Sequence, residues 1–493
     1  MNLSKAKGNN ILRSVGYRFL CRGVRTTRSG FVSACLTILV CCVSTAIGQV
    51  PDSAPVMMAT FDVDVTPPVG VYMAYDPVKR VDELTLRCRG VIIKGHDAPI
   101  VLCAVDFIGI GNAAHDEWRE SIAAAAGTTY DRVALHTLHQ HDAPRVDHTA
   151  EQILHDAGVS QAGPFDGSFA RQMMHKTADA VKLASQNLQR VTQVGFGSAE
   201  VVEVASNRRI LGEDGKVRVT RYTATRDAAV RAEPVGTIDP VVNVISFWNM
   251  EVPIAVLSYY AVHPQSYYRM GIPSPDFPGI ARFIRQQAVP SAVHVHFNGA
   301  GGNLGAGKYN DGEYENRVAL ATRLADGMKR AFEATEKTDL ISAQVAWTSV
   351  SVSLPITKIF DEARYRADLL GASENLPAAI QAAQKLAWLN RCQNDHQIDI
   401  PMLSLGDIRV LHAPGELFVE YQLAAKSMRS DLKIAMAAYG DYGPCYIGTA
   451  IAYEQGGYET SEVASNVAPA VEPILLNAFR QLLSPIEPKH PEQ

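Results

Sequence analysis

From residue 58 onward, apolar and polar positions fall into short runs with the period of strands or of helices. Residues 58–68 alternate polar with apolar and end at Pro67-Pro68, which predicts a strand running into a turn. Residues 84–93 and 99–108 predict two buried strands separated by Lys94-Gly95-His96-Asp97-Ala98. A short helix over 117–126 and a longer one over 168–186 follow; the latter sets Met173, Met174, Ala178 and Val181 on one side. Strands are predicted over 191–204, 241–260 (two, turning near Asn249-Met250-Glu251), 343–354, 408–411 and 432–438. Helices are predicted over 278–288, 314–334, 416–428 and 471–483, with Pro473 tolerable in the first turn of the last. Residues 360–390 form a long helical stretch, expected as an inserted arm or a lid. Strands and helices alternate without strict βαβ regularity. The pattern predicts one large α/β domain over residues 56–485, with mixed central sheet or sheets flanked by helices.

Composition changes this picture at the N-terminus. Of 493 residues, 47% are hydrophobic, enough for a substantial core. Residues 1–48 stand apart. Lys5, Lys7, Arg13, Arg18, Arg22, Arg25 and Arg28 precede an apolar run over 31–47 without a single acid, and Ala46-Ile47-Gly48 gives a small-x-small pattern before Gln49. That is a secretory leader, predicting a secreted or periplasmic protein cut before Gln49. The apolar run is short for a membrane span. Losing those seven cations takes the formal net charge from −5 to about −12. An acidic surface without basic clusters excludes nucleic acid as the partner. Four of the eight cysteines leave with the leader; of Cys88, Cys103, Cys392 and Cys445, Cys103 is expected as a core thiol, and export is compatible with a Cys392–Cys445 bridge without requiring one.

The chemistry concentrates in a few fragments. Val133-Ala134-Leu135 opens a buried strand that turns polar at His136-Thr137-Leu138-His139-Gln140-His141-Asp142 and stops at Pro144. In extended chain His139 and His141 share a face, and imidazole is a good zinc ligand. Asp142 is close enough to orient a histidine or activate a water. Tyr259-Tyr260-Ala261-Val262-His263-Pro264 is a second apolar strand ending in histidine. Leu411-His412-Ala413-Pro414-Gly415-Glu416 places a carboxylate at an expected helix start, where it also suits the helix dipole. Tyr446-Ile447-Gly448-Thr449 and Gly456-Gly457-Tyr458-Glu459 are rich in aromatics and glycine. The run 297–307 has too few of the right residues for a phosphate loop, but its consecutive N–H groups suit an oxyanion.

In this order, with Asn207-Arg208 between the first two, these fragments resemble the catalytic domain of the neutral/alkaline non-lysosomal ceramidase family. The resemblance covers residues 59–483, and no counterpart of the immunoglobulin-like domain that follows in the family is expected. It implies one zinc ion between His139, His263, Glu416 and Tyr446, and a zinc-activated water that cleaves an amide. It also implies His141 beside the reacting group, and Arg208 and Tyr458 on the amide carbonyl and its oxyanion. Small-molecule or lipid substrates such as ceramide, and peripheral contact with membrane lipid, follow from the same likeness. A lipid substrate would further predict an apolar groove by the metal, roofed by 360–390. The chain departs from the family where Gly-Asp-x-Ser-Pro-Asn is expected: it reads Gly301-Gly302-Asn303-Leu304-Gly305-Ala306, without the aspartate or the serine. Asp142 likewise replaces a serine. The alternatives are a catalytically inactive zinc-containing binding protein of the same fold and a metallohydrolase of another class.

Overall fold

Three mixed β-sheets, each closed at one edge by a parallel strand pair, meet around one apolar core in the computed structural model. The structure describes residues 54–159 and 163–484; the expected leader lies outside them. The first sheet orders its strands Val133–Thr137, Ile100–Val105, Arg87–Lys94, Val56–Asp64 and Gln189–Val191. All its pairs are antiparallel except Ile100–Val105 with Val133–Thr137. In the second, Val252–Tyr260 runs parallel to Val293–Asn298 and antiparallel to Val241–Asn249, with Gln193–Glu200 and Glu336–Asp339 beyond. In the third, Ile408–His412 is parallel to Lys433–Ala437 and antiparallel to Ile398–Leu405, which pairs with Val345–Val352.

Leu102 and Ala134 of the first sheet, Leu257 and Val295 of the second, and Val410 and Ala435 of the third share one buried cluster. Strands covered on both faces need near-continuous apolar sequence, which is why Ile100–Val105 reads IVLCAV. Helices cover the outer faces. Ala113–Ala126 and Ser168–Ser185 pack on the first sheet, Asp276–Ala288 and Glu315–Glu333 on the second, and Val419–Met428 and Val471–Leu483 on the third.

The sheets are stitched together where their parallel strands end. The Thr137 amide donates to Tyr439 O at 2.9 Å, the Ala438 amide to Asn298 O at 2.9 Å, and the Asn298 side-chain amide to Leu138 O at 2.6 Å. His136 Nε2 and His412 Nδ1 lie 2.9 Å apart across the first and third sheets. Ligand sites in α/β proteins gather at the carboxyl ends of such strands. Here three sheets converge there.

Several expectations are revised. The strand holding the HxH motif stops at Thr137, because His139 adopts a left-handed φ of 66°. The motif is therefore a turn, not extended chain. Residues 360–390 are two helices, Glu362–Leu370 and Leu376–Gln393, broken at Gly371. They pack Tyr365, Leu369 and Leu386 against Leu154 and Phe165 in a buried cluster, so the stretch is core and not a lid. Cys392 and Cys445 are both free thiols. The Cys445 sulfur lies by the Gln384 and Asn466 amides, whereas that of Cys392 is turned toward Leu354 O. Cys103 is buried as expected.

Candidate metal centre and cleft

Each sheet delivers one candidate ligand from the strand that makes its parallel pair. His139 follows Val133–Thr137, His263 follows Val252–Tyr260, and Glu416 follows Ile408–His412. Glu416 does not start a helix as expected. It lies on a two-residue strand, Glu416–Leu417, paired in parallel with Tyr446–Ile447, and the helix begins at Val419.

His139, Glu416 and His263 are buried and face one another. His139 Nε2 stands 3.1 Å from Glu416 Oε2, and His263 Nδ1 stands 3.6 Å from the same oxygen. All three atoms are buried without a hydrogen-bond partner. Such groups cost free energy unless something else satisfies them. Their other polar atoms are occupied. His139 Nδ1 is 2.5 Å from Ile108 O, which fixes Nε2 as the inward nitrogen, and Tyr442 donates its hydroxyl to Glu416 Oε1 at 2.8 Å. The His139 ring is also stacked on Tyr439, with centroids 4.6 Å apart. Positive φ at a bulky residue is a strain this packing and hydrogen bonding must hold in place.

The ligand nitrogens of His139, His141 and His263 also lie within 4.8 Å of one another, so the three histidines form a group able to hold a metal ion. His263, however, points two ways: Nδ1 toward Glu416, and Nε2 to His141 Nε2 at 2.9 Å. His141 Nδ1 is in turn 3.3 Å from the Tyr75 hydroxyl. His141 already spends both nitrogens, whereas His139 and His263 each keep one free toward Glu416. A tetrahedral metal ion bound at about 2.0–2.1 Å separates its ligand atoms by roughly 3.3 Å, a spacing these donors match.

Electrostatics follow from burial. Burial drives the pKa of His263 well below the usual imidazole value, aided by His139 and Arg208, and does the same for His141. Both rings are neutral at pH 7, the form that binds metal or accepts a proton. For Glu416, burial pushes upward, but the adjacent His139 and the hydroxyls of Tyr442 and Tyr446 outweigh it and keep the carboxyl below its ordinary value. The Tyr446 phenol is raised well above 10 by burial and by Glu416.

Arg208 closes the other side. Burial disfavours its charge, but Tyr446 and Glu459 more than offset that and raise its pKa. Its Nη1 donates to the Tyr446 hydroxyl at 3.2 Å, and its Nε is 3.3 Å from Glu459 Oε1. Tyr458 sits edge-on to Tyr446, with centroids 5.8 Å apart, and its phenol is pushed up to about 12, chiefly by burial. His141, His263, Arg208, Tyr446 and Tyr458 all line one cleft of about 500 Å³.

Two expected contributors are turned away. Asp142 Oδ1 accepts the Arg269 amide at 2.8 Å and its carbonyl accepts the Ser274 amide, so it braces the 269–274 loop; it does not line the cleft. In the glycine-rich loop, the amides of Gly299, Ala300, Gly302 and Leu304 are bound to Tyr260 O, Gln422 Oε1, Leu417 O and Gly301 O. Asn303 accepts the Val419 amide at 2.9 Å and donates to Glu420 at 2.8 Å. No oxyanion cradle remains at those positions. The loop matters for packing instead: a Cβ on Gly301 would meet Val262 backbone at 2.7 Å, and one on Gly302 would meet Glu416 O at 2.2 Å. Nothing in the sequence marked Tyr75, Tyr442 or the Ile108 carbonyl, which act on the centre only through the fold. Glu459 stood within a singled-out motif, but its partners are distant in sequence.

No protein-family model and no curated protein matches the chain. Among solved structures, it is similar to neutral ceramidase from Pseudomonas aeruginosa, with a TM-score of 0.64 and 17% identity over 87% of this chain and 75% of that one. A structure of a ceramidase complexed with C2 gives a TM-score of 0.63 and 17% identity, covering 88% and 77%. The chain has the fold of the neutral ceramidases. No helix among the described residues is long and apolar enough to cross a membrane.

Proposed function

We propose that this chain is an exported zinc-dependent hydrolase of ceramidase type that cleaves a linear amide, or a related ester, of an N-acyl compound. One observation carries the reading: the buried, partnerless atoms of His139, His263 and Glu416 converge on one point beside Arg208 and Tyr458. Those three residues, with Tyr446 next to them, would hold the ion. When bound, zinc supplies a Lewis acid and a water nucleophilic at neutral pH.

The chain's own residues supply the rest. His141 is neutral, lines the cleft and is held between Tyr75 and His263, which positions it beside the reacting group. Arg208 remains charged, and Tyr458 remains protonated; both are donors for the oxyanion that forms when water adds to the carbonyl carbon. The C–N bond then breaks, giving a carboxylic acid and an amine. The leader and the acidic surface accord with work outside the cytoplasm, at a membrane surface or free of it.

A zinc-containing binding protein of the same fold is the second reading, favoured by the glycine-rich loop, where Leu304 is buried and no serine hydroxyl is offered. Metal analysis of the purified mature chain tests the shared premise: about one zinc per chain, lost in the His139→Ala His263→Ala double variant. Turnover of a panel of amides and esters by the loaded protein separates the two. No turnover with zinc fully bound leaves only the binding reading.

A further inference from the structure

The walls of the cleft are wrong for a hydrocarbon chain. Tyr75, Tyr222, Tyr267, Tyr268, Tyr446 and Tyr458 supply its aromatic faces, and Ala224 is its sole aliphatic side chain. Its remaining lining is hydrophilic, including Gln265, Ser266 and Thr223 near the buried end. Small-molecule pockets are ordinarily lined mainly by apolar groups, with a few polar ones to orient the ligand. This one has aromatic faces but almost no aliphatic lining.

Its tyrosines form two walls. On one, Tyr75 and Tyr268 pack with centroids 5.1 Å apart and both stand against His141, at 5.6 and 5.2 Å. On the other, Tyr222 and Tyr446 each contact Tyr458, at 6.0 and 5.8 Å, and the Arg208 guanidinium lies 5.7–5.9 Å from all three rings. A tyrosine offers a flat apolar face and a hydroxyl at its tip. Two such sets in one cleft suit a flat ligand with C–H groups on its faces and hydroxyls at its edge, which is the shape of a pyranose. Net charge is not the discriminator: Arg208 is paired with Glu459, and the exposed Arg226 shares the cleft with Asp311. Nor do His263, Tyr446, Gln265 and Ser266, the buried side chains of the lining, offer an aliphatic wall for a long acyl chain.

Aliphatic side chains do occur nearby, but across a partition. Val81, Leu84, Met270, Ile272 and Ile280 line a separate hollow of about 1060 Å³ that shares only Tyr267 with the cleft. The Tyr267 ring is held 3.6 Å under the Arg317 guanidinium and edge-on to Tyr314 at 4.8 Å. It stands between the cleft and the hollow, which Arg80, Asp82, Glu83 and Arg317 also line.

Resting on the hydrolase reading above, we propose that the substrate is an amino sugar carrying a short N-acyl group, of the N-acetyl type, and not a long-chain sphingolipid amide. Water adds to the acetyl carbonyl, the C–N bond breaks, and acetate and the free amino sugar leave, the amine taking up the proton.

The test uses the mature zinc-loaded protein with N-acetylglucosamine, its β1,4-linked dimer, N-acetylsphingosine, N-hexadecanoylsphingosine and 4-nitrophenyl acetate, reading amine or nitrophenol release. At least one of the two sugars is expected to exceed both sphingosine amides in kcat/KM by tenfold or more. Tyr222→Ala is expected to raise KM for that sugar about tenfold, with kcat changed less than threefold. Tyr267→Ala, which opens the partition, is expected to narrow the gap between sugar and long-chain amide. If any probe is turned over but neither sugar exceeds both sphingosine amides tenfold in kcat/KM, the proposal is overturned while the hydrolase reading stands. No turnover of any probe, 4-nitrophenyl acetate included, overturns the hydrolase reading and this proposal together.

Discussion

Glu416 and Tyr446 are directly opposite one another in a two-residue parallel ladder, although thirty positions separate them in the chain. The pairing sets a carboxylate and a phenol side by side, and Tyr442, from the same returning segment, donates to Glu416 Oε1 at 2.8 Å. Groups that orient a ligand typically matter 10–100-fold to metal affinity. Tyr442→Phe should therefore weaken zinc binding about tenfold, and Glu416→Gln by about a hundredfold or more. Competition with a chelating dye measures both; unchanged affinity in Glu416→Gln would remove Glu416 from the metal centre.

Gly302 is required where the glycine-rich loop passes the Glu416 backbone. An added Cβ would stand 2.2 Å from Glu416 O and 3.0 Å from Leu417 O, and neither is a side chain that can swing aside. Gly302→Ala should cost about 3 kcal/mol or more, in the upper range for overpacking. Thermal unfolding should show a clear fall in Tm, together with loss of bound zinc.

Asp147 caps the helix His148–Asp156, accepting the Ala150 amide at 3.0 Å and the Asn112 side-chain amide at 2.7 Å. Burial raises its pKa from 3.8 to about 7 against the lowering effect of those bonds. Because the folded value lies above the unfolded one, its contribution is fully present below about pH 4 and is lost as pH rises through about 7. Asp147→Asn keeps a good cap without the buried charge, and Asn112 Oδ1, buried and without a partner, can accept from the new amide. At about 1.4 kcal/mol per pKa unit, the variant should be more stable at pH 8 by up to about 4 kcal/mol, and equal to the parent near pH 4. Urea unfolding at the two pH values checks this. Greater loss at pH 8 than at pH 4 would refute it.

Residues 360–390 fill a core, so changes there should act on stability and not on specificity. Leu386, 2% exposed, packs in the cluster with Leu154 and Tyr365. Leu386→Ala should cost about 2–5 kcal/mol. Per folded molecule, kcat/KM on any substrate should stay within about twofold. A changed preference between short and long acyl chains would restore the stretch to the cleft.

The long helices and most buried strands were legible because their periodicity is local: Ser168–Ser185 follows its apolar stripe, and the Val241–Asn249 and Val252–Tyr260 hairpin follows its turn. His148–Asp156 and Ile398–Leu405 went unread. The first is only nine residues long beside a conspicuous motif, and the second carries a proline within its apolar run. Asp142 looked catalytic because it adjoins His141, yet neighbours in sequence need not face one cavity. Its carboxylate turned to the Arg269 amide.

By itself the sequence determined which residue types were available, in what order, and that histidine, carboxylate and phenol each end an apolar strand or open a glycine-rich turn. Only the tertiary structure decided which nitrogen of His263 faces Glu416, that His139 leaves the strand through a left-handed residue, and that tyrosines wall the cleft. The reason is physical. Strand and helix formation is written in neighbours a few positions apart, whereas the centre is the meeting of three sheets whose strand ends are bonded to one another across more than a hundred residues.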